Sequence, residues 1–294
     1  MIPASSPFHP DNDNPYQAWR EAKLDGYPQR LEDLVVSVAN PKALTTAERA
    51  ALLERCRKTN MAIYVGPNLG EDKAIPRLMG RQFGLNRLDA HLLSDEDDIS
   101  TLTVAESSAT KGEFIPYTNR PIRWHTDGYY NPAGQQILGM ILHCATPAAA
   151  GGVNALLDHE ILYLLLRDEN PAHIRALMQE NAMSIPPRMD GDNVARPEET
   201  GPVFSTLPGG QLHMRYTART RSISWQQDSA TQNAVAAIER LLAQDLPWKF
   251  QHRLEAGMGL LCNNVLHDRT GFTDAPEQKR VIYRVRYYDR IGQT

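Results

Sequence analysis

In "RWHTDGYY", His125 and Asp127 stand two residues apart. If this stretch ends a strand, its period of two puts both side chains on one face and Trp124 and Thr126 on the other. An imidazole and a carboxylate placed that way fill two neighbouring corners of an octahedral metal. A third ligand must come from elsewhere, and His267 in "CNNVLHDRTGF" is the candidate. Two histidines and one carboxylate leave three positions open, which suits an Fe(II) that must take both a substrate and O2. Catalytic zinc uses the same donors. A zinc-dependent hydrolase or lyase on the same three residues is therefore the alternative.

A second group of residues follows thirteen positions after His267, in "KRVIYRVRYYDR". Alternation puts Arg280, Ile282, Arg284, Arg286 and Tyr288 on one face of a strand, and Val281, Tyr283, Val285 and Tyr287 on the other. The turn "TDAPEQK" brings the chain back, so Arg280 can lie beside the metal. A planar guanidinium suits a distal carboxylate, which it grips through two parallel hydrogen bonds. A zinc hydrolase has no use for it.

The elements that must hold these residues can be read from patterning. "TTAERAALLERCRKTN" is a helix capped at its threonines, with Thr46 ahead of Glu48 and Arg49. "MAIYVGP" is a short buried strand, and "DKAIPRLMGRQFGL" suggests a second helix. "QQILGMILHC" is a strand candidate, closed by "TPAAAGG". "HEILYLLLRDENPAHIRALMQENA" is helical and broken at Pro171. The polar, Pro-rich stretch 185–203 reads as a surface loop or lid. "GGQLHMRYTAR" is strand-like and "QNAVAAIERLLAQ" an amphipathic helix. With no βαβ alternation and no Gly-rich phosphate loop, the pattern favours a single α+β domain over residues 1–294, with 1–40 as an N-terminal extension.

Composition excludes other classes. Net charge is −4, with a pI of about 6.1, so no basic surface invites nucleic acid. The N-terminus has no cationic start or apolar run, and no apolar stretch approaches membrane-spanning length. Cys56, Cys144 and Cys262 are an odd, widely spaced set, read as reduced thiols. A soluble cytoplasmic protein is expected. A homo-oligomer is compatible with such a domain, but nothing in the sequence points to one.

Taken together, the chain from about Met61 to Asp289 resembles the Fe(II)/2-oxoglutarate dioxygenases of the TauD/TfdA type. "HTD" matches the proximal motif, "LHDRTGF" is similar to the distal histidine motif, and "KRVIYR" to the arginine strand. Within that family, "IPYTNRPIRWHTDGYYNP…ILHC…GG" is most similar to the γ-butyrobetaine and trimethyllysine hydroxylase branch. The resemblance implies a double-stranded β-helix, a jelly-roll core flanked by helices. It implies Fe(II) on His125, Asp127 and His267, with 2-oxoglutarate on Arg280 and O2 as oxidant. Arg284 matches a second arginine of the taurine branch. The two arginines lie about 13 Å apart on a strand, so they cannot clamp one carboxylate, and Arg280 ranks first. "GGVN" puts Asn154 where the family often has a co-substrate threonine. The implied reaction is hydroxylation of an unactivated C–H in a small molecule, with release of succinate and CO2. Asp127 occupies the ligand position that a halogenase of this family leaves open, so hydroxylation is favoured.

For the substrate, Tyr117 falls on one position of the branch's trimethylammonium cage. The other upstream positions land in "STLTVAESS", which has no aromatic residue, and Arg286 replaces a late cage tyrosine. A cation there repels a quaternary ammonium. Arg286 and Arg215 would instead suit a carboxylate-bearing or other anionic substrate, with Tyr129 and Tyr130 at the mouth. His143 reads as a hydrogen-bonded core histidine, and His213 and His252 as isolated. Asn263 and Asn264 read as braces, and Asp268 with Arg269 as a pair orienting His267.

Overall fold

The computed structural model describes residues 2–90, 94–105, 110–219 and 223–294. The chain packs into two compact units, each built from separated segments. The first comprises Met1–Tyr27, Trp124–Gln136 and Leu157–Trp248; the second comprises Pro28–Arg123, Ile137–Leu156 and Lys249–Thr294.

The second unit contains a six-stranded sheet. Its order is Val35–Ser37, Met61–Val65, Met258–Cys262, Gly139–Thr146, Val281–Tyr287 and Ser100–Leu102. Only the first pair is parallel; the others that follow are antiparallel. Along Val281–Tyr287 the alternation holds. Val281, Tyr283, Val285 and Tyr287 all enter one apolar core with Ile141, Leu261 and Met79. The strand is buried on both faces, so its arginines are buried too. A bulge opposite Val281 and Ile282 lets the neighbouring strand skip one residue at the end nearest Arg280.

A second sheet has the order Phe250–His252, Asn154–Leu157, Leu266–Arg269 and Ile122–His125. It carries two of the expected metal ligands on adjacent strands. The helix Thr46–Thr59 begins one residue earlier than its sequence cap suggested. Thr45, not Thr46, accepts from the Glu48 amide while Glu48 reaches back to Thr45, a reciprocal cap worth about 1 kcal/mol.

The first unit is mainly helical. His159–Glu169 and Pro171–Leu177 are separated at Asn170, whose side chain accepts from the Ala172 amide, with Pro171 at the first helical position. Ser229–Ala243 packs beside them, started by Asp228 accepting from the Thr231 amide. Within this unit the stretch expected to be a loop at 185–203 is strand-rich. Arg188–Asp190 pairs antiparallel with Asn193–Arg196 across Gly191, whose φ is +58°. Pro186, Pro187 and Pro197 flank this hairpin and take no place in its ladder, which is where proline is tolerated. Among the described residues, no helix is long and apolar enough to cross a membrane.

Candidate active site

His125 closes the strand Ile122–His125, and the chain beyond it is pinned to the segment 216–218. Ala218 donates to the Trp124 carbonyl (2.8 Å), Thr126 donates to the Tyr216 carbonyl (3.0 Å), and Tyr216 donates to the Thr126 hydroxyl (3.1 Å). Gly128 turns the chain away at φ +65°. This leaves His125 Nε2 3.7 Å from Asp127 Oδ1.

His267 lies on Leu266–Arg269, and its Nδ1 is 3.0 Å from the Val265 carbonyl. A carbonyl only accepts, so Nδ1 carries the proton and Nε2 is the ring nitrogen that could hold a metal. One donor atom from each of His125, Asp127 and His267 falls within 4.8 Å of the other two, and all three residues are buried. Two imidazoles and one carboxylate, shielded from water, fit a divalent cation that keeps open positions.

Arg280 precedes its strand and is 6% exposed. Its backbone amide donates to Asp274 Oδ1 at 3.0 Å. Among the described residues, nothing accepts a hydrogen bond from its guanidinium. Burial lowers its pKa to about 10. The guanidinium lies 4.9 Å from the ring centroid of Phe272 and lines a small cavity with Gly151, Gly152, Asn154, Arg253 and Ile282. A buried arginine without an acceptor is a standing demand for an anion. Gly151 holds φ +73°, and a Cβ there would come 2.3 Å from the Gly271 carbonyl oxygen. The tight turn that lines this cavity therefore requires glycine. Arg253, which sequence reasoning missed, is tethered by the Ala148 carbonyl and Glu255.

Asn154 also lines the cavity, and its side-chain amide donates to the Asp268 carbonyl at 2.8 Å. Arg284 is buried in mid-strand, 7% exposed. Tyr117 is 1% exposed, with the Lys111 ammonium 5.2 Å from its ring centroid. Residues 106–108 of "STLTVAESS" lie outside the described residues. Tyr129 and Tyr130 meet edge to face at 5.2 Å and are half-buried.

Two arginines expected at a substrate anion are engaged inside the fold. Arg286 is 3% exposed and forms an ion pair with buried Asp89, which also accepts from the Tyr288 hydroxyl at 2.6 Å. A solvent-facing Arg286 is thereby ruled out. Arg215 donates to the carbonyls of Tyr129 (2.6 Å), Met183 (3.2 Å) and Glu199 (2.6 Å). Asp268 and Arg269 do not pair, because neighbours on a strand point to opposite faces. Asp268 accepts from the Ala155 amide at 2.9 Å, whereas Arg269 donates to the Thr118 and Arg120 carbonyls. Asn263 and Asn264 are braces: the first donates to Asn60 and Thr294 side chains, the second to the Ile137 carbonyl. His143 is a core histidine facing the Tyr64 hydroxyl at 3.0 Å.

Residues 27–286 match the family described as taurine catabolism dioxygenase TauD, TfdA family. The chain belongs to this family. It is an Fe(II)- and 2-oxoglutarate-dependent dioxygenase that acts on a small molecule. A uridine-5'-phosphate dioxygenase from Streptomyces sp is 29% identical over 207 residues, covering 69% of this chain and 74% of the relative. One of the same name from Amycolatopsis sp is 28% identical, covering 56% and 60%. Among solved structures, an asparagine oxygenase with Fe(II), 3-hydroxyasparagine and succinate aligns over 92% of this chain and 83% of its own. Its TM-score is 0.60 at 16% identity, a likeness of fold.

Proposed function

We propose that His125, Asp127 and His267 hold the iron, that Arg280 takes the distal carboxylate of 2-oxoglutarate, and that the substrate is a small phosphate-bearing molecule of the nucleoside 5'-phosphate class. The six-stranded and four-stranded sheets are, in this reading, the two walls of a jelly roll. The observation that carries the co-substrate assignment is the buried Arg280 guanidinium, which has no acceptor among the described residues. A zinc hydrolase leaves that group unexplained.

When bound, the iron would let O2 act as the oxidant, one oxygen atom going to the keto acid, which leaves as succinate and CO2, and the other to the substrate C–H. The chain's own part is positional. The Val265 carbonyl fixes the tautomer of His267, and segment 216–218 holds the chain around His125. Asn154 ties the co-substrate cavity to the strand that carries His267. Arg284 stays the secondary co-substrate candidate.

The substrate class rests on the two relatives named uridine-5'-phosphate dioxygenases. It is supported against the betaine-hydroxylating branch by Lys111, whose ammonium already lies against the Tyr117 ring. That ammonium is itself paired with Asp95 at 2.7 Å, so it is held against the ring and a trimethylammonium would find that approach taken. Tyr129 and Tyr130, just past Asp127, are the proposed walls of the substrate mouth.

The test is succinate release from 2-oxoglutarate under air with Fe(II), comparing uridine 5'-phosphate, uridine and taurine. Stimulation by the phosphate ester alone supports the reading. Equal stimulation by uridine removes the phosphate requirement. Absence of 2-oxoglutarate binding, by the anaerobic visible band of keto-acid chelation, removes the Arg280 assignment.

A further inference from the structure

Arg269 is 3% exposed and lies two residues beyond His267 on the same strand. Alternation therefore points it to the face that carries His267, about 7 Å further along. Its Nη2 donates to the carbonyls of Thr118 (2.8 Å) and Arg120 (2.6 Å), which hold the side chain in place. Its Nε and Nη1 are buried and have no hydrogen-bond partner among the described residues. The guanidinium lies 4.8 Å from the centroid of the Phe272 ring, the same ring that Arg280 approaches at 4.9 Å.

Two buried cations thus share one phenyl ring. The ring's negative face eases each charge slightly, but it supplies neither an acceptor nor a counter-charge. Unsatisfied buried donors are costly, and two like charges held this close add to the cost. An anion arriving at this place relieves both.

We infer that Arg269 is a positioning residue for the co-substrate: with Arg280 and Phe272 it forms a two-cation seat that selects a keto acid with a distal carboxylate. This rests on the assignment of Arg280 above. In that assignment a dicarboxylate held between His267 and Arg280 lies along the face that Arg269 shares with His267. Arg280 grips the carboxylate, while Arg269 adds a second positive charge and holds Phe272, and through it the Arg280 plane, in register.

The test compares two keto acids on full-length protein with Fe(II), titrated anaerobically through the visible chelation band. These are 2-oxoglutarate and 2-oxovalerate, which has the same carbon chain without the distal carboxylate. Arg269→Met is expected to weaken 2-oxoglutarate at least tenfold while changing 2-oxovalerate less than twofold. Arg269→Lys, which keeps a cation, is expected to retain most of the preference. Equal weakening of both acids shows a purely structural role and overturns the inference, as does unchanged 2-oxoglutarate binding. Should Arg269→Met fail to fold, Arg269→Gln keeps a donor for the two carbonyls and carries the same comparison. If Arg280→Ala leaves 2-oxoglutarate binding intact, the Arg280 assignment has failed. If Arg280→Ala abolishes binding and Arg269→Met does not weaken it, only the present inference has.

Discussion

Asn154 donates its side-chain amide to the main-chain carbonyl of Asp268 at 2.8 Å, 114 residues away in sequence. The bond joins the strand that lines the Arg280 cavity to the residue immediately after His267. On the proposed assignment, one side chain joins the co-substrate cavity to the strand of the proposed metal ligand.

Asn154→Ala is expected to remove that bond and leave the carbonyl short of a partner. Net stability should fall by about 1–2 kcal/mol, read as a lower urea midpoint at unchanged m-value. The affinity for 2-oxoglutarate should fall as well, several-fold in anaerobic titration. A loss of stability with unaltered affinity would make Asn154 a brace only.

The buried Arg286–Asp89 pair gives a second prediction. Removing Asp89 takes a buried carboxylate from beside the Arg286 guanidinium, so Asp89→Ala should be strongly destabilising, by about 3 kcal/mol. Replacing both, as in Asp89→Leu with Arg286→Met, should recover most of that cost because the site becomes apolar. Double-variant protein should keep its Fe(II) and 2-oxoglutarate affinities. If it folds but loses only stimulation by substrate, Arg286 has a substrate role that its ion pair conceals.

This pair also shows where sequence reading stops. Alternation in "KRVIYRVRYY" put the odd residues into the core and the arginines on one face, and both features stand. What the arginine faces was illegible, because Asp89 lies 197 residues earlier and no local pattern links the two. The same holds for Phe272, which lies against both Arg269 and Arg280 only because of how two strand ends meet. His125 and Asp127 could be paired from spacing, since strand periodicity acts within three residues. At 185–203 the prolines suggested an irregular loop, but they sit beside the hairpin rather than in it. Asp190-Gly191 is the turn signal that should have outweighed them.

Acid stability supplies a third prediction. Burial lowers the His143 pKa to about 4, against an ordinary value of 6.5. The folded state therefore resists protonation while the unfolded chain accepts it. Stability from this residue is complete above pH 6.5 and is lost as pH falls toward 4, by up to about 3 kcal/mol. Burial shifts His252 the same way, so it adds to the same window. Asp95, lowered by Lys111, Lys73 and Thr101 against the opposing effect of burial, acts only at more acidic pH. Denaturant midpoints of His143→Gln should be flatter than wild type between pH 6.5 and 4.5, and equal slopes would reject the assignment.

Metal dependence is the last. An ion that binds the folded chain alone stabilises it by mass action, by about 2.7 kcal/mol at a hundredfold excess over its dissociation constant. His267 lies 140 residues beyond the His125–Asp127 pair, so the unfolded chain offers no comparable three-donor site. Mn(II), a redox-quiet stand-in, should raise the melting temperature of chelator-treated protein by several degrees. The rise should vanish in His267→Ala and shrink strongly in Asp127→Ala. His143→Gln, whose ring lies in the core beside Tyr64, should retain it in full. A shift that survives His267→Ala would place the ion elsewhere and remove the basis for the iron assignment.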